Sequence, residues 1–359
     1  MQTRSRPVPG RWLPAFGLLL LLAFAGCHHP FPLTGNFQAG FNGTMDVRMP
    51  PVIDPGPMVP TVVRGSPSGP NGSRIALVDV DGLILNQNLT GLYSIGDNPV
   101  AAFREKLEAA AADSNVRAVV IRINSPGGGV AASDVMAEEL RRFRMGMGKP
   151  VVACLMDVAT GGAYYLALGC DRIVALPTTI TGGIGAIFNH YNMDNTMGQV
   201  GMKVDPIKSG PLVDMGSVTT RLPDDVRELL QQMTNGFRDQ FAARVARARP
   251  AMTVGDRAVL SDGRVLPAPQ ALRLHMIDGL GYLDDAICEA ERLAGCGGSE
   301  VVLFQRSGYP THSIYSIVPN VPLHGEAIPA SVPGLDRTKL PTFLYLWEPD
   351  PTLTKQGGH

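Results

Sequence analysis

Lys208 stands among apolar residues and glycine in Pro206-Ile-Lys-Ser-Gly210, a setting in which a lysine amine can give up its proton and serve as a base. Asn124-Ser-Pro-Gly-Gly-Gly129 follows an apolar run, and its glycines let backbone amides come close to a ligand carbonyl, which is what an oxyanion hole requires. Asp157-Val-Ala-Thr-Gly-Gly-Ala163 closes another apolar run and opens a helix. Its N–H groups, at the positive end of the helix dipole, face whatever sits at the turn. Thr181-Gly-Gly-Ile-Gly185 adds a further glycine-rich stretch. Taken singly, each of these is also what a tight turn or a surface loop looks like.

The elements needed to position these residues are legible in the apolar pattern. Residues 74–80, 116–123 and 151–156 read as strands buried on both faces, with a short fourth strand at 172–175. Phe103, Leu107 and Ala110 recur at helical spacing, residues 132–143 form a second helix with Ser133 as its N-cap, and a third begins near Gly162. Such alternation predicts an α/β domain with a parallel sheet. Residues 191–200 read as a helix, and 223–249 as a long amphipathic helix with Val226, Leu230, Phe237, Phe241 and Val245 on one side. Beyond residue 300 the sequence is loop-rich, with a strand-like run at 301–304 and an apolar tail at Phe343-Leu-Tyr-Leu-Trp347.

The chain has 359 residues, 45% hydrophobic and 18% charged, with a net charge of −1, so it holds an ample core and has no long-range field to draw in nucleic acid. Arg4, Arg6 and Arg11 precede an apolar run at 13–25, shorter than the roughly 20 residues of a membrane span and typical of an export signal. The run closes on Phe24-Ala-Gly-Cys27, which resembles a bacterial lipobox, with Cys27 the lipidated residue. This divides the chain into a lipoprotein signal peptide (1–26), a Pro/Gly-rich tether (27–73), the globular domain (74–300) and a loop-rich extension (301–359). Cys154 and Cys170 read as buried small residues, while Cys288 and Cys296 could form a local disulfide.

Arg122-Ile-Asn-Ser-Pro-Gly-Gly-Gly129, Gly162-Ala-Tyr-Tyr165, Asp171-Arg-Ile-Val-Ala175, Thr181-Gly-Gly-Ile-Gly185, Ile207-Lys-Ser-Gly210 and Ile277-Asp-Gly-Leu-Gly281 occur in an order and spacing that resemble the signal peptide peptidase A family, the S49 serine peptidases, over residues 74–286. The resemblance implies a ClpP/crotonase-like fold of repeated β-β-α and βαβ units with a parallel sheet and a long amphipathic helix towards the C-terminus. It also implies peptide substrates, a homo-oligomeric ring with inward-facing sites, and no metal or organic cofactor. Lys208 takes the place of the family's general base, and the amides of Gly128 and Gly162 that of its oxyanion hole.

The nucleophile departs from the pattern. Gapless counting from either flank puts Gly161 at the place of the family serine, with Thr160 just before it. Three outcomes stay open. Thr160 attacks in the serine's stead, despite a β-methyl that restricts χ1. The site has lost its nucleophile and serves as a peptide-binding or ring-scaffold pseudopeptidase. Ser125 or Ser209 supplies the hydroxyl. A Ser-His-Asp triad using His190 and Asp194 lacks a serine at the turn, and an acyl-CoA crotonase activity gives the Lys-Ser-Gly loop no role.

Overall fold

The computed structural model describes residues 56–66, 72–88, 98–306, 312–316 and 343–347, all within the unit Val52–His359. In chain order its elements are β1 (Val59–Arg64), β2 (Arg74–Asp81), α1 (Pro99–Ala112), β3 (Val116–Ser125), β4 (Gly127–Gly129), α2 (Val130–Met147), β5 (Val151–Thr160), α3 (Gly162–Ala167), β6 (Arg172–Ala175), β7 (Ile180–Gly182), α4 (Asp194–Gln199), α5 (Asp224–Ala248), α6 (Val254–Leu260), β8 (Val265–Pro267), α7 (Ala268–Arg273), β9 (Gly279–Leu280), α8 (Leu283–Ala294), β10 (Glu300–Gln305) and β11 (Leu344–Leu346).

The fold is mixed α/β on a largely parallel sheet, in the order β1-β10-β2-β3-β5-β6-β9, with β7 joined to β5 and β8 to β7. Its apolar runs are near-continuous because both faces are covered. Ala76, Val78 and Val80 of β2 face one core, where Phe103 and Leu107 of α1, Met136 and Leu140 of α2, the whole of α3, and Phe241 and Val245 of α5 pack. Ile75 and Leu77 face the other, against Leu283, Ile287 and Ala290 of α8. Each such large apolar side chain contributes about 1.5–3 kcal/mol on leaving water.

Several expectations change here. β1 lies inside the segment read as a tether and pairs antiparallel with β10, in the register Thr61 to Leu303 and Val62 to Val302. Helix α2 starts at Val130 after Gly129, so Ser133 is an interior residue whose hydroxyl donates to the Gly129 carbonyl rather than capping the helix. The glycines at 127–129 form a strand, not a bare turn. Cys154, Cys170, Cys288 and Cys296 are all free thiols, so Cys288 and Cys296 are not bridged, and the Cys296 sulfur instead accepts from the Ser299 hydroxyl at 3.5 Å. The signal peptide and Cys27 lie outside the described residues, and no helix among the described residues is long and apolar enough to cross a membrane.

Candidate active site

Strand β5 is longer than its apolar run suggests, and its extra length builds the site. Val152–Leu155 pair with β6, after which the strand leaves that neighbour and Val158, Ala159 and Thr160 pair with β7. The Thr181 hydroxyl fastens this bend by donating to the Ala159 carbonyl at 2.7 Å. Gly161 then turns the chain into α3 with φ +52° and ψ −122°, a conformation that side chains rarely adopt. A strand that ends in a strained residue and passes straight into a buried helix is the elbow geometry that presents a nucleophile in many hydrolases. Here the residue at the elbow is glycine.

β4 lies beside the elbow. On one side it is tied to the chain at Ile84, whose amide donates to the Gly127 carbonyl at 2.9 Å and whose carbonyl accepts from Gly129 at 2.9 Å. Its other edge pairs antiparallel with β11, in the register Leu344 to Gly129, Tyr345 to Gly128 and Leu346 to Gly127. The Val130 amide donates to the Phe343 carbonyl at 3.1 Å and the Trp347 amide to the Pro126 carbonyl at 3.0 Å. Antiparallel bonds alternate along a ladder, so the pair midway between these two, Tyr345 and Gly128, is also hydrogen-bonded, with the Gly128 amide facing the Tyr345 carbonyl. The far edge of β11 is held as well: Leu344 and Ile187 exchange both backbone bonds, at 2.9 and 3.0 Å.

Residues 343–347 therefore lie as an extended strand between two backbone edges, directly over the elbow. A Cβ built on Gly161 would have the carbonyl oxygen, carbonyl carbon and following nitrogen of the Tyr345–Leu346 peptide bond as its three nearest neighbours, the carbon at 2.6 Å and the nitrogen at 2.9 Å. A Cβ on Gly127 would meet the same carbonyl oxygen, with the Gly162 nitrogen 2.8 Å away. The Gly128 amide thus faces this peptide carbonyl, and the Gly162 nitrogen stands close to the same point beside Gly127.

Thr160 and Lys208 are each engaged elsewhere. Thr160 is fully buried, and its hydroxyl donates to the Pro126 carbonyl at 3.0 Å, the same carbonyl that accepts from Trp347. Lys208 lies in an exposed loop and its amine donates to both carboxylate oxygens of Asp214, at 2.9 and 3.1 Å. That bond holds the Asp214 carboxyl below its usual range. Ser125 is buried and its hydroxyl accepts from the Gly127 amide, so it organises the turn. Ser209 is exposed beside Lys208. His190 bonds through Nε2 to the Ser217 carbonyl at 2.9 Å.

Sequence reasoning missed the aromatic wall of the groove. The Tyr345 ring lies 5.0 Å from that of Phe241 and 5.4 Å from that of Tyr165, and its hydroxyl donates to the Phe237 carbonyl at 2.8 Å. Tyr165 is fixed in turn by a 2.8 Å bond from its hydroxyl to Asp134 and by the Arg244 guanidinium, 4.4 Å from its ring centre. Burial, helped by the hydrogen bond to Asp134, pushes the Tyr165 phenol up to about 12, and burial raises Tyr345 further. The alternation of aromatic residues and leucine over 343–347 was the available signal, since such residues favour strands.

Residues 144–297 match the sequence model described as Peptidase family S49. The chain is similar to Protease 4 of Salmonella typhi, 34% identical over 224 residues that make up 62% of this chain and 35% of that one. It is similar to a putative signal peptide peptidase SppA of Enterococcus faecium, 29% identical over 61% of this chain and 63% of the other. A putative protease of Synechocystis is 34% identical over 52% of this chain and 66% of its own. This chain thus spans about a third of the length of the Salmonella protein and under two-thirds of the Enterococcus one.

Proposed function

We propose that this chain, whose residues 144–297 match the Peptidase family S49 model, is a peptidase of the signal peptide peptidase A kind that takes its substrate as an extended strand against β4. The observation that carries this reading is the Tyr345–Leu346 peptide bond lying over the elbow at Gly161. A substrate bound in that way presents its carbonyl to the Gly128 and Gly162 amides, which would stabilise the oxyanion of a tetrahedral intermediate. Thr160 Oγ1 would attack the carbonyl carbon, and the Lys208 amine, as neutral base, would take the hydroxyl proton and deliver it to the leaving amine. For this the Thr160 hydroxyl must leave the Pro126 carbonyl and Lys208 must leave Asp214.

A second reading is favoured by glycine at the elbow and by the inward bond of Thr160: a pseudopeptidase that holds an extended peptide, or scaffolds a ring, without cutting. A fluorogenic peptide assay separates the two. Turnover that falls by about a hundredfold or more in both Thr160→Ala and Lys208→Ala supports hydrolysis by this pair. Turnover that neither substitution changes removes the pair from the chemistry, and no turnover in the wild type leaves the holding role.

Two wider features belong to the same proposal. A lipid on Cys27 would fix the protein to a membrane of the cell envelope after export, placing it beside membrane-released or signal peptides. A homo-oligomeric ring could cover exposed apolar side chains along residues 200–213, among them Val200, Met202, Val204, Ile207 and Val213.

A further inference from the structure

Neither an elbow nor an oxyanion hole needs the aromatic wall that faces β11. A strand added to a sheet edge gains affinity from its main-chain bonds, which are blind to sequence, and specificity from the pockets that receive alternate side chains. Here the pockets are built. Tyr345 is 1% exposed, with its ring against Phe241 and Tyr165 and its hydroxyl on the Phe237 carbonyl. Two residues earlier, on the same face of the strand, the Phe343 ring packs at a tilt against Phe237 at 4.9 Å and Phe188 at 5.4 Å. Leu346, on the opposite face, packs with Leu83 and Leu85.

Tyr165 forms a rigid wall, because Asp134 holds its hydroxyl and Arg244 covers its ring. A small side chain in place of Tyr345 would leave a void between fixed aromatic rings, which such a site cannot close by collapse. Phenylalanine would fill the void and forgo only the bond to Phe237.

We infer that this groove selects extended peptides carrying tyrosine at the residue over the elbow and an aromatic residue two places before it. Residues 343–347 are the chain's own occupant of the groove, which such a peptide displaces. The inference rests on the reading of the groove as a peptide site and adds the side chains it selects.

The test uses the full chain and fluorescence anisotropy of a labelled Gly-Phe-Leu-Tyr-Leu-Trp-Gly peptide. Leu344→Pro removes the amide that donates to Ile187 and frees the groove. Tyr345→Ala does so more gently, by emptying the main pocket. In both variants the peptide should bind about tenfold or more tighter than in the wild type, and replacing its tyrosine by alanine should weaken it about tenfold or more. Replacement by phenylalanine should cost about twofold to tenfold, the worth of one hydrogen bond. Equal binding of the tyrosine and alanine peptides overturns the selection and leaves peptide binding intact. Absence of binding by either peptide, in variants with a native circular-dichroism spectrum, overturns the peptide reading of the groove as well.

Discussion

The carbonyl carbon of Tyr345 lies 2.6 Å from the point where a Cβ on Gly161 would stand. Real Cβ atoms do not come so close to backbone, so any side chain at 161 and a strand at 343–347 exclude each other in this arrangement. Glycine is required there twice, by the space and by the φ of +52°. Gly161 is thus the residue that lets the chain's own strand lie this deep.

Gly161→Ala should therefore push the strand away and strain the elbow. The expected loss is about 1–3 kcal/mol in a denaturant titration. Of the two tryptophans in the sequence, Trp12 and Trp347, the latter sits on the strand, so in a Trp12→Phe background its emission should shift to the red. Unchanged stability and emission would show that strand and elbow are not coupled.

Arg122 ties β3 to residues 312–316. Its Nε donates to Asp79 at 2.6 Å, and its other nitrogens donate to the Ile314 and Ser316 carbonyls, with the pair almost wholly buried. Arg122→Met takes the guanidinium away from a buried carboxylate, and urea unfolding at neutral pH should show a loss of about 3–5 kcal/mol. A loss below about 1 kcal/mol, the scale of exposed pairs, would contradict this.

The groove should also loosen in alkali. Burial, with the hydrogen bond to Asp134, pushes the Tyr165 phenol from 10.0 up to about 12, and burial raises Tyr345 in the same direction. A raised acid keeps its proton longer in the folded state, so its contribution to stability is complete below about pH 10 and is lost as pH climbs towards about 12. Thermal unfolding across that window should show a falling midpoint, with a shallower fall in Tyr345→Phe. Equal slopes for the two proteins would mean that the phenol at 345 is not part of the packed cluster.

Much of the frame was legible because it is local. The apolar runs that became β2, β3 and β5 need only two covered faces, and Phe103, Leu107 and Ala110 share a helix face by spacing alone. What escaped depends on distant partners. β1 is a strand only because β10 offers its edge, and Leu344 meets Gly129 across more than two hundred residues. Ser133 looked like a cap because the glycines before it have no side chains to mark them as strand, and β11 alone turns them into one. At the site, the direction of the Thr160 hydroxyl follows from the pleat of a strand whose last four residues read as turn in the sequence.

The proposed lipid anchor has a direct consequence. In cells, Cys27→Ser should move the protein from the membrane fraction to the soluble one or leave it unprocessed, as fractionation and gel mobility would report. Unaltered attachment and mobility would set the lipobox aside.

The most direct measurement concerns the bond held over residue 161. Gly161→Ser displaces the chain's own strand from its deep position and places a hydroxyl at the elbow; a free peptide, not tied to the rest of the chain, can pair with β4 slightly farther out, so the Gly-Phe-Leu-Tyr-Leu-Trp-Gly peptide is incubated with that variant and its products are read by mass spectrometry. The account predicts cleavage between tyrosine and leucine, the bond that corresponds to Tyr345–Leu346. A folded variant that leaves the peptide whole, or cuts it at another bond, would contradict it.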